Sequence, residues 1–212
     1  NYRKIHLMIK SASLPAFILD VVEDKGTERP FTGEYDNFGD SGTYLCRQCG
    51  LALFRSDHKF HSGCGWPSFD EEIKGAVTRE VDADGRRTEI LCSRCRAHLG
   101  HVFAGEGLTA NNLRHCVNSL SLDFVTSKTV VDTEEAIFAA GWFWGVEYYL
   151  QRLSGVLKTE VGYTGGDTDA PNYKQGSSGA SGNEEEIRGI YEPTKIKYQN
   201  LQNINHKRAN QT

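Results

Sequence analysis

The chain has 212 residues, with 24 Lys and Arg against 28 Asp and Glu and a net charge of −4. That length suits one large or two modest domains, and the 10% aromatic content with low net charge excludes disorder of the whole chain. No run approaches the roughly 18 apolar residues of a membrane helix, and an acidic balance without basic clusters argues against a nucleic-acid partner.

In chain order, Met8 with Ile9 and the run 16–19 are too short to form the apolar part of a signal peptide, so a cytoplasmic location is expected. Residues 26–42 are rich in Gly, Asp and Pro and read as loop with short extended pieces. Thr43–Cys46 and 51–54 read as two short strands around a turn at Cys49-Gly50. Residues 76–81 and 87–91 form a hairpin pattern with Asp84-Gly85 as its turn. Strands follow at 99–103 and 115–124, the second with Cys116, Asn118, Leu120 and Leu122 on one side of the period-two repeat. Without a long helical pattern in 26–127, this part reads as mainly β.

The pattern changes near Lys128. Residues 134–153 place Ile137, Phe138, Val146, Tyr149, Leu150 and Leu153 on a plausible helical face. Residues 162–166 read as a turn, 176–182 as a Gly/Ser loop and 187–191 as a short strand. From Thr194 onward, seven of nineteen residues are Asn or Gln and none is acidic. Beyond Ile196, Tyr198, Leu201 and Ile204 this tail has little to pack. The expected division is a first domain over 14–127, a second region over 133–204 and a polar tail over 205–212.

Six cysteines sort by spacing. Cys46 with Cys49, and Cys92 with Cys95, form two CxxC turns, each beside a predicted strand. Two such turns facing each other give the tetrahedral sulfur shell that zinc prefers. Four thiolates leave no open position, so such an ion holds the fold and does not catalyse. A disulfide framework is the alternative, with 15 pairings open to six cysteines. Cys64, in the loop 62–69, and Cys116, in 114–119, remain. A nucleophilic thiol needs cationic or hydrogen-bonding neighbours. Arg114, His115, Asn118, His98 and His101 are the candidates, against the plainer reading that both cysteines are core residues.

GTERPFTGEY (26–35), CRQCG (46–50), SGCGWPSF (62–69), CSRC (92–95), HLGHVF (98–103) and RHCVNS (114–119) together resemble the B-type methionine sulfoxide reductases. The resemblance covers about residues 14–126. It implies a mainly β fold of two antiparallel sheets, with a four-cysteine zinc site away from the active site. It also implies reduction of the R epimer of methionine sulfoxide in peptides and proteins. Cys116 matches the catalytic cysteine and Cys64 the recycling cysteine. Trp66 matches the tryptophan against the substrate methyl group, with Phe69 beside it in the same motif. His98, His101 and Asn118 match the polar pocket around the sulfoxide oxygen, and Arg114 the arginine before the catalytic strand. His115 stands where tyrosine or phenylalanine is usual and would put a titrating group beside the thiolate.

The chemistry so implied starts with attack by the Cys116 thiolate on sulfur while a histidine, His101 rather than His98, protonates the oxygen. Cys116 becomes a sulfenic acid, condenses with Cys64 to a disulfide and is restored by thioredoxin or a similar dithiol. Oxidised proteins or peptides are the expected substrates and a monomer the expected state.

EEAIFAAGWFWGVEYYLQRLSGVLKTEVGYTGG (134–166), Tyr173 and GASGNEEEIRGIYEP (179–193) resemble the A-type reductases, which act on the S epimer. That family's nucleophile is the cysteine of a GCFWG motif, where this chain has Trp142, and no cysteine follows Cys116. Asn183 replaces a usual histidine; Glu185 and Tyr173 match active-site positions. The resemblance implies a shortened, non-catalytic α+β segment that folds only against its neighbour, serves as an interaction module or is partly disordered. Two other readings of the chain are a zinc-stapled module that binds oxidised methionine without reducing it, and a zinc-ribbon scaffold.

Overall fold

Thr43–Cys46 (β1) is buried along its whole length because it is the middle strand of a three-stranded antiparallel sheet. Ala52–Arg55 (β2) pairs on one side of it and Leu122–Val125 (β9) on the other. These strands belong to a computed structural model that describes residues 14–127, 130–139, 143–164 and 184–209. The chain divides between Val130 and Val131 into two units.

A second antiparallel sheet of the first unit has six strands: Lys59–Phe60 (β3), Ser68–Phe69 (β4), Val77–Val81 (β5), Thr88–Cys92 (β6), His98–Ala104 (β7) and Leu113–Val117 (β8). Their spatial order is β3-β4-β8-β7-β6-β5. The β5–β6 hairpin turns where Asp84-Gly85 predicts it, with Gly85 at φ 68° and its N–H donating to Asp82 O at 2.8 Å. The core lies between the sheets. Phe69 of the larger sheet stacks on Phe54 of the smaller at 4.4 Å and meets Tyr44 edge-on at 4.9 Å. A short helix, Ala16–Val22 (α1), buries Ile18, Val21 and Val22.

The strand expected over 115–124 is two strands in different sheets. β8 ends at Val117, a 3-10 turn occupies Ser119–Ser121, and β9 resumes at Leu122. The Glu28 carboxylate accepts the N–H groups of Ser119 and Leu120, so neither is free for a ladder.

In the second unit, Glu134–Ala139 (β10), Val156–Thr164 (β11) and Glu184–Tyr191 (β12) form an antiparallel sheet in the order β10-β12-β11. Phe143–Leu150 (α2) and Tyr198–Ala209 (α3) accompany it. Ala136, Phe138, Val146, Leu150, Ile187, Tyr191 and Leu201 make its core, with Ile196 and Ile204 packed against it. The helical face expected over 134–153 is therefore a strand followed by a helix. Ala136 and Phe138 are buried while Glu135, Ile137 and Ala139 are more open, the alternation of a strand with one face on the core. The chain is helical through the start of the polar tail, as far as Ala209. Leu201, 2% exposed, with Ile204 packed against the same core, gives this helix its apolar anchor. Residues 162–164 continue β11 where a turn is expected. Trp142, Tyr173, Asn183 and the loop 176–182 lie outside the described residues.

Candidate functional site

Cys116 sits mid-sheet, opposite Ser68 of β4 and His101 of β7. Gly100, one step along β7, is required there. A Cβ on it would stand 2.0 Å from Cys116 O. The loop carrying Cys64 turns through Gly63 at φ 75° and Gly65 at φ 91°, conformations open mainly to glycine. This brings Cys64 Sγ to 3.7 Å from Cys116 Sγ, both as free thiols.

The two thiols are electrostatically unequal. The hydrogen bond from Cys116 holds Cys64 down to about 4 against the cost of burial, with help from Ser62 and Ser68. Ser62 Oγ donates to Cys64 Sγ at 3.0 Å. Cys116 is pushed well up by donating to Cys64 and then by burial, against the opposing pull of the Arg114 charge. The pair thus carries one negative charge and one proton between its sulfurs.

Trp66, Arg87, His101, Phe103, Cys116 and Asn118 are among the residues that line a pocket of about 110 Å³. His101 Nε2 hydrogen-bonds Asp82. His98 is not part of the lining. It is 2% exposed, its Nδ1 lies 2.7 Å from Glu89 Oε1, and its Nε2 has no protein partner. Burial lowers its pKa despite Glu89, so the neutral ring has Nδ1–H toward the carboxylate and Nε2 bare. Lys25 completes this line with Nζ 2.8 Å from Glu89.

Arg114 donates from Nε and Nη2 to Glu106 at 2.7 and 2.8 Å and lies over the Phe103 ring at 4.4 Å. Phe69, expected at the substrate, is instead fully buried in the intersheet core. Trp66, three residues earlier and outside the strand, takes the wall, and Phe69 faces away from it into the core. His115 is likewise turned away from Cys116. It is fully buried beside Phe54, with Nδ1 3.0 Å from Phe69 O and Nε2 2.9 Å from Glu72. Burial lowers its pKa against the opposing pull of Phe69 O and Glu72, and the ring does not face the thiol pair.

Glu28 is assigned no role by the sequence motifs, yet it joins the two sides of the pocket. Its carbonyl accepts Trp66 Nε1–H at 3.1 Å and its N–H donates to Asn118 Oδ1 at 3.1 Å. Its carboxylate holds the turn after β8. Partners 38 and 90 residues away leave no local signal for this residue.

Away from the pocket, Cys46, Cys49, Cys92 and Cys95 are all buried, with sulfurs within 4.8 Å of one another. Cys46 to Cys95 is 3.6 Å and Cys49 to Cys92 is 3.5 Å. Four sulfurs about 2.3 Å from one zinc ion would stand about 3.8 Å apart, so the cluster fits a tetrahedral metal. Burial and the neighbouring sulfurs push the Cys46 thiol well up, so ionising the set calls for a bound cation.

A SelR domain model matches residues 14–126, and a peptide methionine sulfoxide reductase model matches residues 134–212. The chain belongs to the SelR domain family. Among its relatives are peptide methionine sulfoxide reductase B2, chloroplastic, of Arabidopsis thaliana, 55% identical over 105 residues (49% of this chain, 52% of the relative). Another is peptide methionine sulfoxide reductase B5 of the same plant, 52% identical over 110 residues (51% of this chain, 79% of the relative). The chloroplastic B3 protein of Oryza sativa subsp. japonica is 57% identical over 102 residues (48% and 44%). The chain thus spans about half the length of several of these relatives. The SelR match and the four-sulfur cluster lie in the first unit. The other matched region, 134–212, contains none of the six cysteines.

Proposed function

We propose that the SelR unit reduces the R epimer of methionine sulfoxide in peptides and proteins to methionine, with Cys116 as nucleophile and Cys64 as recycling thiol. One observation carries this reading: two free thiols 3.7 Å apart, one of them lining a small pocket walled by Trp66 and Phe103. An apolar wall suits the substrate methyl group, and His101 and Asn118 suit its oxygen.

The shared proton moves from Cys116 to Cys64, and the Cys116 thiolate attacks the sulfoxide sulfur. His101 is the acid, because it lines the pocket and His98 does not. Asp82 on Nε2 orients the ring, leaving Nδ1 as the nitrogen that passes a proton to the oxygen. Oxygen passes to Cys116 as methionine leaves, giving a sulfenic acid. Cys64 attacks that sulfur, water leaves and a disulfide forms. A dithiol protein of the thioredoxin type reduces it, becoming a disulfide itself. Asn118 and Arg114 act by holding the pocket and biasing the thiol pair.

One zinc ion in the four-cysteine shell is structural in this reading, since a closed shell admits no substrate. The β domain over 14–127 is the enzyme. The region 133–204 is non-catalytic for want of a thiol, and serves as an interaction module. A monomer in the cytoplasm completes the proposal. The test is turnover of separated R and S epimers with dithiothreitol. R-epimer reduction abolished by Cys116→Ser is expected. No R activity would overturn the reading, and S activity would overturn the non-catalytic role of the second region.

A further inference from the structure

We propose that Phe31 is the anchor on which the dithiol protein that regenerates Cys64 docks. This rests on the reading above, in which a Cys64–Cys116 disulfide must be reduced by a protein partner. Phe31 is 66% exposed, and its φ of 64° is a backbone conformation that a bulky aromatic rarely adopts. Its surroundings enforce that conformation. Its N–H donates to Gly65 O at 2.7 Å, and Thr32 Oγ1 donates to Arg29 O at 2.8 Å, closing the turn around Pro30. Gly65 leaves no gap, since a Cβ there would stand 2.7 Å from Pro30 Cβ and 2.8 Å from Phe31 N. The ring is thus presented to solvent on a main chain bonded to the residue next to Cys64.

The chemistry selects the partner. Neither Phe31 nor Cys64 lines the pocket that takes the sulfoxide side chain. The reductant, in contrast, must bring a thiolate into contact with the Cys64 sulfur. That thiolate attacks Cys64 Sγ, the Cys64–Cys116 bond breaks, and Cys116 leaves with the electron pair and takes up a proton. The partner's second thiol then attacks its own sulfur in the mixed disulfide, releasing Cys64 and leaving the partner oxidised. A protein seated for the first step covers the Cys64 loop and meets Phe31. Exposed aromatics held on a rigid main chain are what interfaces use as anchors.

The test uses the full chain with thioredoxin as the protein reductant and dithiothreitol as the small one. Phe31→Asn keeps a residue that tolerates the left-handed backbone, and Phe31→Tyr keeps the aromatic ring. Asn is expected to raise KM for thioredoxin about tenfold, the scale of losing an aromatic anchor. Dithiothreitol-supported turnover and KM for the sulfoxide peptide should stay at wild-type values, and Tyr should restore the thioredoxin KM. An unchanged thioredoxin KM in Phe31→Asn overturns the proposal. So does a raised peptide KM with dithiothreitol, which would assign Phe31 to the substrate, or a Tyr variant as weak as Asn. A wild-type chain inactive even with dithiothreitol would instead overturn the reductase reading on which the docking rests.

Discussion

Gly50, at φ 68°, and Arg96, at φ 70°, stand in equivalent places in the two CxxC turns. Each donates its N–H to the carbonyl of the first cysteine of its turn, at 2.7 Å to Cys46 and 2.9 Å to Cys92. Those cysteines in turn donate their N–H groups to Leu51 O and Ala97 O at 2.8 and 2.9 Å. The two halves of the sulfur cluster are built to one plan, though only one half uses glycine.

That symmetry makes the backbone testable. Gly50→Val forces a β-branched residue into the left-handed region and should cost about 1–2 kcal/mol. Arg96→Gly relieves a similar strain but frees the unfolded chain, so its net effect should stay within about 1 kcal/mol of zero. Denaturation of zinc-loaded protein measures both. Stripping the metal should unfold the first unit, since structural zinc sites contribute about 10–16 kcal/mol. Circular dichroism before and after chelation, with zinc analysis for one ion per chain, checks that outcome.

The thiol pair should behave as one titrating unit. With Cys64 held down to about 4 by Cys116, wild-type protein should keep one thiolate at mildly acid pH. Cys116→Ala removes the largest of these contributions, so the Cys64 thiol should rise toward the ordinary range of about 8.5. Ultraviolet thiolate absorbance against pH reads both. Equal curves for the two proteins would refute the coupling.

Glu28 should matter to both stability and substrate binding. Glu28→Ala leaves the Ser119 and Leu120 N–H groups without their acceptor, at about 1.5–3 kcal/mol for hydrogen bonds to a charged group. It also loosens the turn that holds Asn118 opposite Trp66. Chemical denaturation should show the loss. In steady-state kinetics KM for a sulfoxide peptide should rise more than kcat falls, because the thiol pair is untouched.

In the second unit, Arg188 lies between Glu135 and Glu160. Burial pushes the Glu160 carboxyl up, but the charges of Arg188 and Lys158 outweigh it and hold it at about 2. A depressed carboxyl contributes stability that is complete above its unfolded pKa of 4.5 and fades as pH falls toward 2. Discounted for partial exposure, the effect should be about 1–3 kcal/mol. Glu160→Gln should therefore lower the melting temperature at neutral pH and differ little from wild type near pH 2. A constant gap across that range would contradict the pairing.

Much of the site is legible from residue order. Cysteine spacing separates four metal-type sulfurs from two others, because a CxxC turn carries its geometry locally. The glycines around Cys64 announce a constrained loop for the same reason. Arg96 is not legible as the counterpart of Gly50, since nothing local marks an arginine for a left-handed conformation. Phe69 falls in the intersheet core and not in the pocket because adjacent strand residues face opposite sides, and only the sheet pairing says which side faces the pocket. The segments 115–124 and 134–153 fail where a long-range partner overrides a local pattern: Glu28 in the first, β12 in the second.

The amino-acid sequence by itself determines the family, the division of six cysteines into four and two, and the lack of a thiol in residues 134–212. These depend on residue identity and spacing alone. The tertiary structure decides which groups face one another. It brings Cys64 within 3.7 Å of Cys116 across 52 residues of chain, and sets Glu28 between Trp66 and Asn118. It also presents Phe31 beside the Cys64 loop. Charge sharing between two thiols falls off steeply with distance, so it exists only once folding has closed that gap.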